Sequence, residues 1–315
     1  MDAGARIQPL PDGRHLVQVT IPPGATGVSG TWTTRYPLDL IHAIHATKGY
    51  FACDEIMREE DPNYVERSIR SDVLGYLDPP AFAGKRLLDF GCGAGASLLV
   101  MSRLLPGCEL VGVELQERLL KLARLRAQHL GRGSVEVHLS PSGAALPEGI
   151  GDFDYIVFSA VYEHLLPKER RSLLPLLWSR LKPGGVLFLN QTPHRWSPLE
   201  THTTGLPLIN YLPDRLAYAM AKRFSRRIKA SDDWQDLLRA GIRGGTTREI
   251  LGLLGDSAAL LEPRGEIGDR IDLWYGRLSP RHRLLKRGAR ALLKALKPLG
   301  GIHLIPELSL AIRKR

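Results

Sequence analysis

Residues 85–95 read KRLLDFGCGAG, and this stretch decides the fold. The apolar run Lys85–Phe90 predicts a buried strand, and the glycines after it predict a sharp turn into a helix from about Ala96 to Leu105. Glycines at such a junction let the backbone approach a ligand closely, and the first turn of the helix offers unpaired N–H groups to an anion. The stretch therefore predicts a ligand site at the carboxyl end of the strand.

The alternation of strand and helix continues along the chain. Helices are predicted over Gln116–Leu130 and over Lys168–Leu181. In the first of them the basic residues are expected outward, and the inward residues are Leu119, Leu120, Ala123 and Leu130. Further strands are predicted at Glu109–Glu114, Val135–Leu139, Phe153–Phe158, Val186–Asn190, Ala258–Leu261 and Leu308–Ile312. This order predicts a doubly wound, Rossmann-like α/β fold with a mostly parallel seven-stranded sheet and helical insertions.

We expect the chain to divide into four segments. These are an N-terminal segment or cap (1–80), a ligand-binding core (81–195), an inserted cap (196–245), and a final segment (246–315) that completes the core and carries a basic helical insertion. Within the first segment, the pattern predicts one short strand at Val17–Val19 and helices over Leu38–Glu60 and Tyr64–Tyr76.

Composition limits the class of protein. Of the 315 residues, 43% are hydrophobic and 24% charged, which is typical of a globular protein and not of a disordered one. The three cysteines form no CxxC pair, which excludes a disulfide framework and a zinc ribbon. The N-terminus lacks the features of a secretory signal, so we expect the cytoplasm. The net charge of +10 permits nucleic acid, an anionic membrane or an acidic substrate as partner.

Two acidic residues indicate which ligand the glycine loop takes. Gly91, Gly93 and Ala96 also satisfy the dinucleotide fingerprint, but Asp89 would be poorly placed beside a pyrophosphate and suits an ammonium group. Glu114 ends the next strand, where an acid can bind both hydroxyls of a ribose. A ligand with a ribose, an ammonium and a carboxylate describes S-adenosylmethionine better than NAD.

Four motifs then follow in order: LLDFGCGAGA, VGVE, FDYIVFSAVYEHL and LKPGGVLFLNQTP. Over residues 84–195 the chain resembles the class I S-adenosylmethionine-dependent methyltransferases. It is most similar to the type 11 group, whose members carry EHL after the fourth strand and KPGG before the fifth. The resemblance implies a methyltransferase with S-adenosylmethionine as its cofactor, and it names no acceptor.

The resemblance also implies roles for individual residues. In the family the loop holds the amino acid part of the cofactor, the acid at Glu114 binds the ribose, and Leu115 borders the adenine. Ser142 stands where the family often has an Asp for the adenine amine, and Ser159 would face the sulfonium. The cofactor-side candidates are Asp89, Gly91, Cys92, Gly93, Gly95, Glu114, Leu115, Ser142, Gly143 and Ser159.

Residues that follow the fourth and fifth strands are candidates for the acceptor side, because ligands of open parallel sheets lie beyond the carboxyl ends of the strands. An oxygen acceptor benefits from a general base, for which a histidine is suited by its near-neutral pKa. We expect His164 or His194 to be that base. The substrate-side candidates are Tyr162, Arg195, Trp196, Glu200 and His202.

The Glu163-His164 pair is similar to part of the ExxEH pattern with which some methyltransferases bind a divalent ion. Ala160 stands where that pattern has its first Glu, so we expect no metal even though His194, His202 and Glu200 follow.

Three alternatives remain beside an O-methyltransferase acting on a small-molecule, glycan or lipid-linked acceptor. An NAD-type oxidoreductase would leave the EHL and KPGG elements without a role. An RNA methyltransferase would use the basic surface, although the chain has no recognisable RNA-binding module, and we expect no nucleic acid partner. A non-catalytic membrane-associated or partner-binding protein would use a basic helix whose apolar stripe suits peripheral contact with an anionic membrane. The stripe consists of Leu285, Ala289, Leu292, Leu293 and Leu296.

Overall fold

A computed structural model describes residues 4–23, 25, 28–129, 131, 135–143, 145–278, 283–299 and 304–315. The chain divides into two compact units. The first unit comprises residues 1–70 and 79–141, and the second comprises residues 71–78 and 142–315. None of the helices in these described ranges has the length and apolar character needed to cross a membrane.

The first unit begins with a small antiparallel sheet in the order β1-β2-β3 and the helices that follow it. Its strands and helices are β1 (Ala5–Pro9), β2 (His15–Val19), β3 (Thr31–Thr34), α1 (Leu38–Lys48), α2 (Ala52–Glu60) and α3 (Arg67–Asp72), of which α3 runs two residues into the second unit. Side chains of β2, α1 and α2 share a buried cluster with Ala94 and Leu122, which lie in the rest of the unit.

Parallel strands form the remainder of the first unit. They are β4 (Arg86–Phe90), β5 (Glu109–Glu114) and β6 (Val135–Leu139), with α4 (Ala96–Leu104) after β4 and α5 (Glu117–His129) after β5. The register pairs Asp89 with Gly112 and Glu114 with Leu139, so β4 and β5 end at the same edge of the sheet. That edge carries the glycine loop.

The second unit contains four strands and six of the longer helices of the described residues. Its elements are β7 (Phe153–Ser159), α6 (Pro167–Ser179), β8 (Leu181–Pro193), α7 (Asp214–Phe224), α8 (Trp234–Arg239), α9 (Thr247–Leu254), β9 (Ala258–Leu261), α10 (Arg270–Arg277), α11 (Arg283–Ala295) and β10 (Glu307–Lys314). β7 and β8 are parallel, whereas β10 pairs antiparallel with both β8 and β9. The sheet has seven strands in the order β6-β5-β4-β7-β8-β10-β9, which confirms the predicted mostly parallel α/β fold.

Some local expectations were wrong. The predicted helix over Tyr64–Tyr76 forms as a π-helical turn, Pro62–Glu66, followed by α3, and it ends at Asp72 and not at Tyr76. The Asp72 carboxylate is held by Arg277 and by the Ser309 hydroxyl, which ties the chain to α10 and β10. β8 begins at Leu181 and not at Val186, since the KPGG segment is itself extended. A Cβ on Gly185 would lie 2.6 Å from the carbonyl oxygen of Asp154, so only glycine permits this close approach to the β7 backbone.

Helix α5 also departs from its prediction. Its basic residues were all expected to face outward, but Arg126 is completely buried. The Arg126 guanidinium pairs with Glu55 at 2.6 Å and donates to the hydroxyl of Tyr36 at 3.1 Å, so charge pairing offsets the cost of its burial. Leu130, predicted to face inward from this helix, lies outside the described residues.

Candidate functional site

The loop between β4 and α4 has a backbone that favours glycine. Gly91, Gly93 and Gly95 have φ values of 80°, 57° and 84°, in the left-handed region that other residues adopt only with strain. A Cβ on Gly95 would lie 2.9 Å from that of Ala123, so a larger residue would push α4 away from α5. No described atom lies within 4 Å of the position of a Cβ on Gly93, so this turn of the loop is open to a ligand.

Glu114 lies beside this loop at the end of β5. One carboxylate oxygen accepts a hydrogen bond from the backbone N–H of Gly93 at 3.0 Å, and the other accepts one from the N–H of Gln116 at 2.8 Å. The residue is 8% exposed, so its carboxylate is held in one orientation. A carboxylate oriented by two backbone donors still has lone pairs for a vicinal diol.

Asp89 is the second acid at this edge, and it is 3% exposed. The pKa of its carboxyl is raised to about 6, mainly by burial and also by the nearby Glu114, although the Ser97 hydroxyl, 2.5 Å away, and the charge of Arg58 lower it. The raised pKa shows that these neighbours do not fully compensate the buried charge. The arrangement is therefore suited to binding a cationic group.

Cys92 and Leu115, two further cofactor-side candidates in the first unit, differ in their exposure to solvent. Cys92 is 5% exposed, and burial raises the pKa of its thiol well above the ordinary value, so it does not serve as a thiolate nucleophile. Its sulfur would lie 2.8 Å from a Cβ on Gly112, which places it against β5 and favours packing over ligand contact. Leu115 is 53% exposed directly after Glu114, and its contact with the adenine stays a prediction.

The remaining cofactor-side candidates belong to the second unit. Ser142 is exposed and Gly143 half-buried just after the first unit ends, and the Ser142 carbonyl accepts a hydrogen bond from Ala145 at 3.3 Å. Ser159 ends β7. The next residue, Ala160, has a φ of 54°, a conformation that costs a non-glycine residue about 1 kcal/mol or more and that is concentrated at functional sites. No sequence signal marked this strain.

Tyr162 begins a short 3₁₀ turn, Tyr162–His164, after β7. The ring is fully buried, with the Arg170 guanidinium 4.5 Å from its centroid, and the hydroxyl donates to Glu249 at 2.8 Å. These contacts fix α6 and α9 against the turn. A role for Tyr162 in contacting substrate stays a prediction, and its described contacts favour a structural one.

The structure brings three of the sequence candidates together at this turn. Glu163, His164 and His202 each offer a ligand atom, and these atoms all lie within 4.8 Å of one another. Glu163 is fully buried, and burial raises the pKa of its carboxyl. Burial, followed by the neighbouring His164, lowers the pKa of His202 and favours the neutral imidazole.

Glu200 supports the same cluster from the loop after β8. It is 3% exposed, and its carboxylate accepts hydrogen bonds from the backbone N–H groups of His202, Thr203 and Thr204 and from the Thr204 hydroxyl, at 2.5 to 2.8 Å. The carboxylate is saturated by its own loop. Glu200 therefore orients His202, and its predicted contact with substrate has no support from this geometry.

His194, Arg195 and Trp196 follow β8 and meet different surroundings. His194 is 4% exposed, accepts from the Trp196 N–H at 3.2 Å, and borders a pocket. Arg195 donates to the Asn210 carbonyl, and burial together with Arg243 lowers the pKa of its guanidinium to about 10. Trp196 is 47% exposed. The pocket beside His194 is also lined by Trp274, Arg277 and Ser309.

Two residues with clear contacts escaped sequence reasoning. Ser97, in the first turn of α4, donates to Asp89, and Tyr211 stacks on Trp196 with ring centroids 6.1 Å apart and an angle of 19° between the planes. The one signal for Ser97 in the sequence was its position, eight residues after Asp89 and at the start of the helix that follows the glycine loop. Nothing in the spacing of Tyr211 linked it to Trp196.

Comparisons with known proteins identify a methyltransferase domain in this chain. Residues 88–187 match the family model described as a methyltransferase domain. The chain is 28% identical over 157 residues to carboxy-S-adenosyl-L-methionine synthase of Aliivibrio salmonicida, covering 45% of this chain and 62% of that protein. It is 34% identical over 160 residues to ubiquinone biosynthesis O-methyltransferase of Ruegeria pomeroyi, covering 44% and 61%.

The match thus spans about three fifths of the length of these relatives. Among solved structures, the chain is similar to PKMT2 from Rickettsia typhi in complex with AdoHcy, at 18% identity and a TM-score of 0.48, with 79% of this chain and 52% of that one covered.

Proposed function

We propose that the protein transfers the methyl group of S-adenosylmethionine to an oxygen atom of a small-molecule acceptor, because residues 88–187 match the family model of a methyltransferase domain. The observation that carries the proposal is the pair formed by the open glycine loop after β4 and the Glu114 carboxylate, 3.0 Å from the Gly93 N–H. Both belong to the first unit, and together they suit a ligand with an amino acid at one end and a ribose beside it.

The residues present fit the cofactor. Asp89 is a buried carboxylate whose pKa stays raised despite the charge of Arg58, which suits the ammonium of the methionine moiety. Gly91, Gly93 and Gly95 would let the backbone approach its carboxylate, and Glu114 would bind the ribose hydroxyls. Leu115 would lie along the adenine. When bound, S-adenosylmethionine supplies a methyl group already activated by its sulfonium.

Because that methyl group is activated, the protein has to align the acceptor and exclude water. For an oxygen acceptor a side chain also takes the proton, and His164 and His194 are the candidates. The Nδ1 atom of His164 lies 2.7 Å from the carbonyl oxygen of Arg239, which fixes the ring and leaves Nε2 as its acceptor. Either histidine fails as the base if its Ala variant binds cofactor and turns over at the wild-type rate.

The acceptor side is proposed from the aromatic surface after β8. Trp196 and Tyr211 form a stacked pair, each 47% exposed, and the guanidinium of Arg195 lies 4.4 Å from the Trp196 ring centroid. Flat aromatic faces beside a cation suit an acceptor that is itself ring-shaped and polar, such as a sugar of a glycan or of a lipid-linked glycan.

Binding of S-adenosylhomocysteine, followed by calorimetry, tests the proposal. We expect the wild type to bind it and Glu114→Ala to bind it roughly 100-fold more weakly, since two charge-assisted hydrogen bonds are lost. Glu117→Ala is the matched control, because Glu117 is an exposed acid that pairs with Lys121 on the surface of α5. The proposal fails if the wild type binds no S-adenosylhomocysteine, or if NADH binds in its place.

A further inference from the structure

The turn after β7 and the loop after β8 bring a carboxylate and two imidazoles to one place. Glu163 and His164 lie on the 3₁₀ turn, and His202 lies on the loop that Glu200 organises. One ligand atom from each of the three residues lies within 4.8 Å of the other two. All three residues belong to the second unit.

Glu163 is the residue that requires an explanation. The carboxylate is completely buried, and its Oε2 accepts one hydrogen bond from the Thr192 hydroxyl at 3.2 Å. Its Oε1 has no hydrogen-bond partner among the described residues, and Nε2 of His164 lies 3.7 Å from it. A buried carboxylate oxygen without a donor costs folding free energy unless a cation satisfies it. The orphaned oxygen is thus directed at a position where a cation is expected.

The two histidines are oriented by contacts outside the cluster. The Nδ1 atom of His164 donates to the carbonyl of Arg239 at 2.7 Å, which turns the lone pair of Nε2 toward Glu163. Arg239 itself is fixed by its pairing with Glu169. A second hydrogen bond that fixes the tautomer of a ligating imidazole is typical of metal sites.

Gly241 leaves room for the cluster. A Cβ at this position would lie 2.7 Å from Cδ2 of His202 and 3.2 Å from Cγ of Glu163, and the φ of Gly241 is 94°. Both the space and the backbone conformation therefore call for glycine. The wall beside the three ligand atoms is a backbone surface without a side chain.

From these contacts we propose that Glu163, His164 and His202 bind a divalent transition-metal ion, with zinc as the ion that the donor set fits best. Two neutral imidazoles and one carboxylate form a borderline set that suits zinc, and three protein ligands leave a coordination position for water or for a substrate oxygen. Ligand atoms bound at about 2.1 Å to a tetrahedral ion lie about 3.4 Å apart, so atoms that are now up to 4.8 Å apart have to approach one another by up to about 1.4 Å. His202 is exposed and lies on a loop, so its side chain can supply most of this movement while the His164 ring keeps its hydrogen bond to Arg239.

The proposal replaces our expectation of no metal, which rested on Ala160 in place of a first Glu. His202 supplies a third ligand that linear spacing did not place. The site does not depend on methyl transfer, because binding is measured without cofactor or acceptor. If the ion is present, His194 is left as the candidate for the general base.

Titration of the full chain with Co²⁺, after treatment with a chelator and its removal, tests the site, because visible absorption bands report the coordination of Co²⁺. We expect one Co²⁺ per chain, displaced by Zn²⁺. Glu163→Gln and His202→Ala should each weaken binding at least about tenfold, as even the loss of a supporting contact at a metal site does. Addition of Zn²⁺ should raise the unfolding temperature of the wild type and leave the unfolding temperatures of both variants unchanged.

His138→Ala is the matched control. His138 is an exposed histidine 3.4 Å from Glu136 and thus offers a similar pair on the surface of β6. The proposal is overturned if no saturable Co²⁺ signal forms, if Glu163→Gln and His202→Ala bind as tightly as the wild type, or if His138→Ala loses the signal equally. Should Glu163→Gln fail to fold, the exposed His202 still decides the outcome.

Discussion

Asp89, the proposed partner of the cofactor's ammonium group, makes the free energy of unfolding depend on pH. Burial raises the pKa of its carboxyl from 3.8 to about 6 in the folded protein, so folding favours the protonated form. Its stabilising effect is complete below about pH 4 and is lost as the pH rises toward 6, since the unfolded chain then releases the proton more readily. At neutral pH the folded protein therefore carries an unfavourable charge that a bound ammonium would neutralise.

We predict that Asp89→Asn stabilises the ligand-free protein at pH 7.5. A shift of about two pKa units corresponds to about 3 kcal/mol in the free energy of unfolding, and asparagine keeps the acceptor for the Ser97 hydroxyl. Urea unfolding at pH 7.5 and pH 4 measures the effect, which should shrink toward zero at the lower pH. A gain that is the same at both pH values would show that the charge of Asp89 is not its cause.

Sequence reasoning at this scale located residues whose roles follow from neighbours in the chain. Asp89, Gly93 and Glu114 lie together because adjacent parallel strands end at one edge. Tyr162 and Glu200 were expected to meet substrate, but their polar atoms contact Glu249 and the Thr203–Thr204 backbone. Local spacing contains no information about such partners, of which Glu249 is 87 positions away from Tyr162.

At the scale of whole elements, α5 is anchored to α2 by a buried ion pair. Arg126 contacts the Glu55 side chain at 2.6 Å and the Ala94 carbonyl at 3.3 Å, and Lys48 approaches the second oxygen of Glu55 at 2.9 Å. The apolar pattern of α5 predicted the helix correctly but not this residue, because a basic side chain is normally placed outward.

We predict that Arg126→Met lowers the free energy of unfolding by about 3–5 kcal/mol, since it leaves a buried Glu55 without its main partner. The double variant Glu55→Leu/Arg126→Met should recover much of that loss, because both buried charges are removed and the Lys48 side chain, which loses its partner, is partly exposed to solvent. Denaturant titration of the single and double variants gives the coupling energy.

Arg124→Met serves as the control, since Arg124 is an exposed residue of the same helix that bonds to the carbonyl of Val137. A loss as large for Arg124→Met as for Arg126→Met would contradict the role of the buried pair.

The fold was predictable for elements whose pattern is strong. β5, β6, β7 and β9 begin at the predicted residues. β5, β7 and β9 are mostly apolar runs bounded by turns or polar residues, whereas in β6 apolar and polar residues alternate. β1 and β3 escaped prediction, since both are short and largely unburied and are formed by pairing with β2. A strand whose stability comes from its partners leaves little trace in its own sequence.

At the scale of the whole molecule, the net charge is +10, and α11 carries several of the basic residues together with a row of leucines. Only part of the predicted apolar stripe is buried. Leu293 packs with Trp274 and Ile305, while leucines on the other side of the helix are exposed. The exposed leucines are Leu284 at 80%, Leu285 at 76% and Leu292 at 60%. Exposed leucines on a helix that also carries basic residues suit the surface of an anionic membrane, whose lipids offer both apolar chains and negative charge.

We predict that the protein cosediments with vesicles containing phosphatidylglycerol at low salt, and that the variant Leu284→Ser/Leu285→Ser/Leu292→Ser does not. Raising the ionic strength to about 0.5 M should weaken the binding of the wild type, because screening removes the electrostatic part and leaves the insertion of the leucines. Leu38→Ser/Leu139→Ser removes exposed leucines from α1 and β6 and should bind like the wild type. Equal sedimentation of the wild type with uncharged phosphatidylcholine vesicles, or no effect of the α11 substitutions, would rule out this helix as the membrane contact.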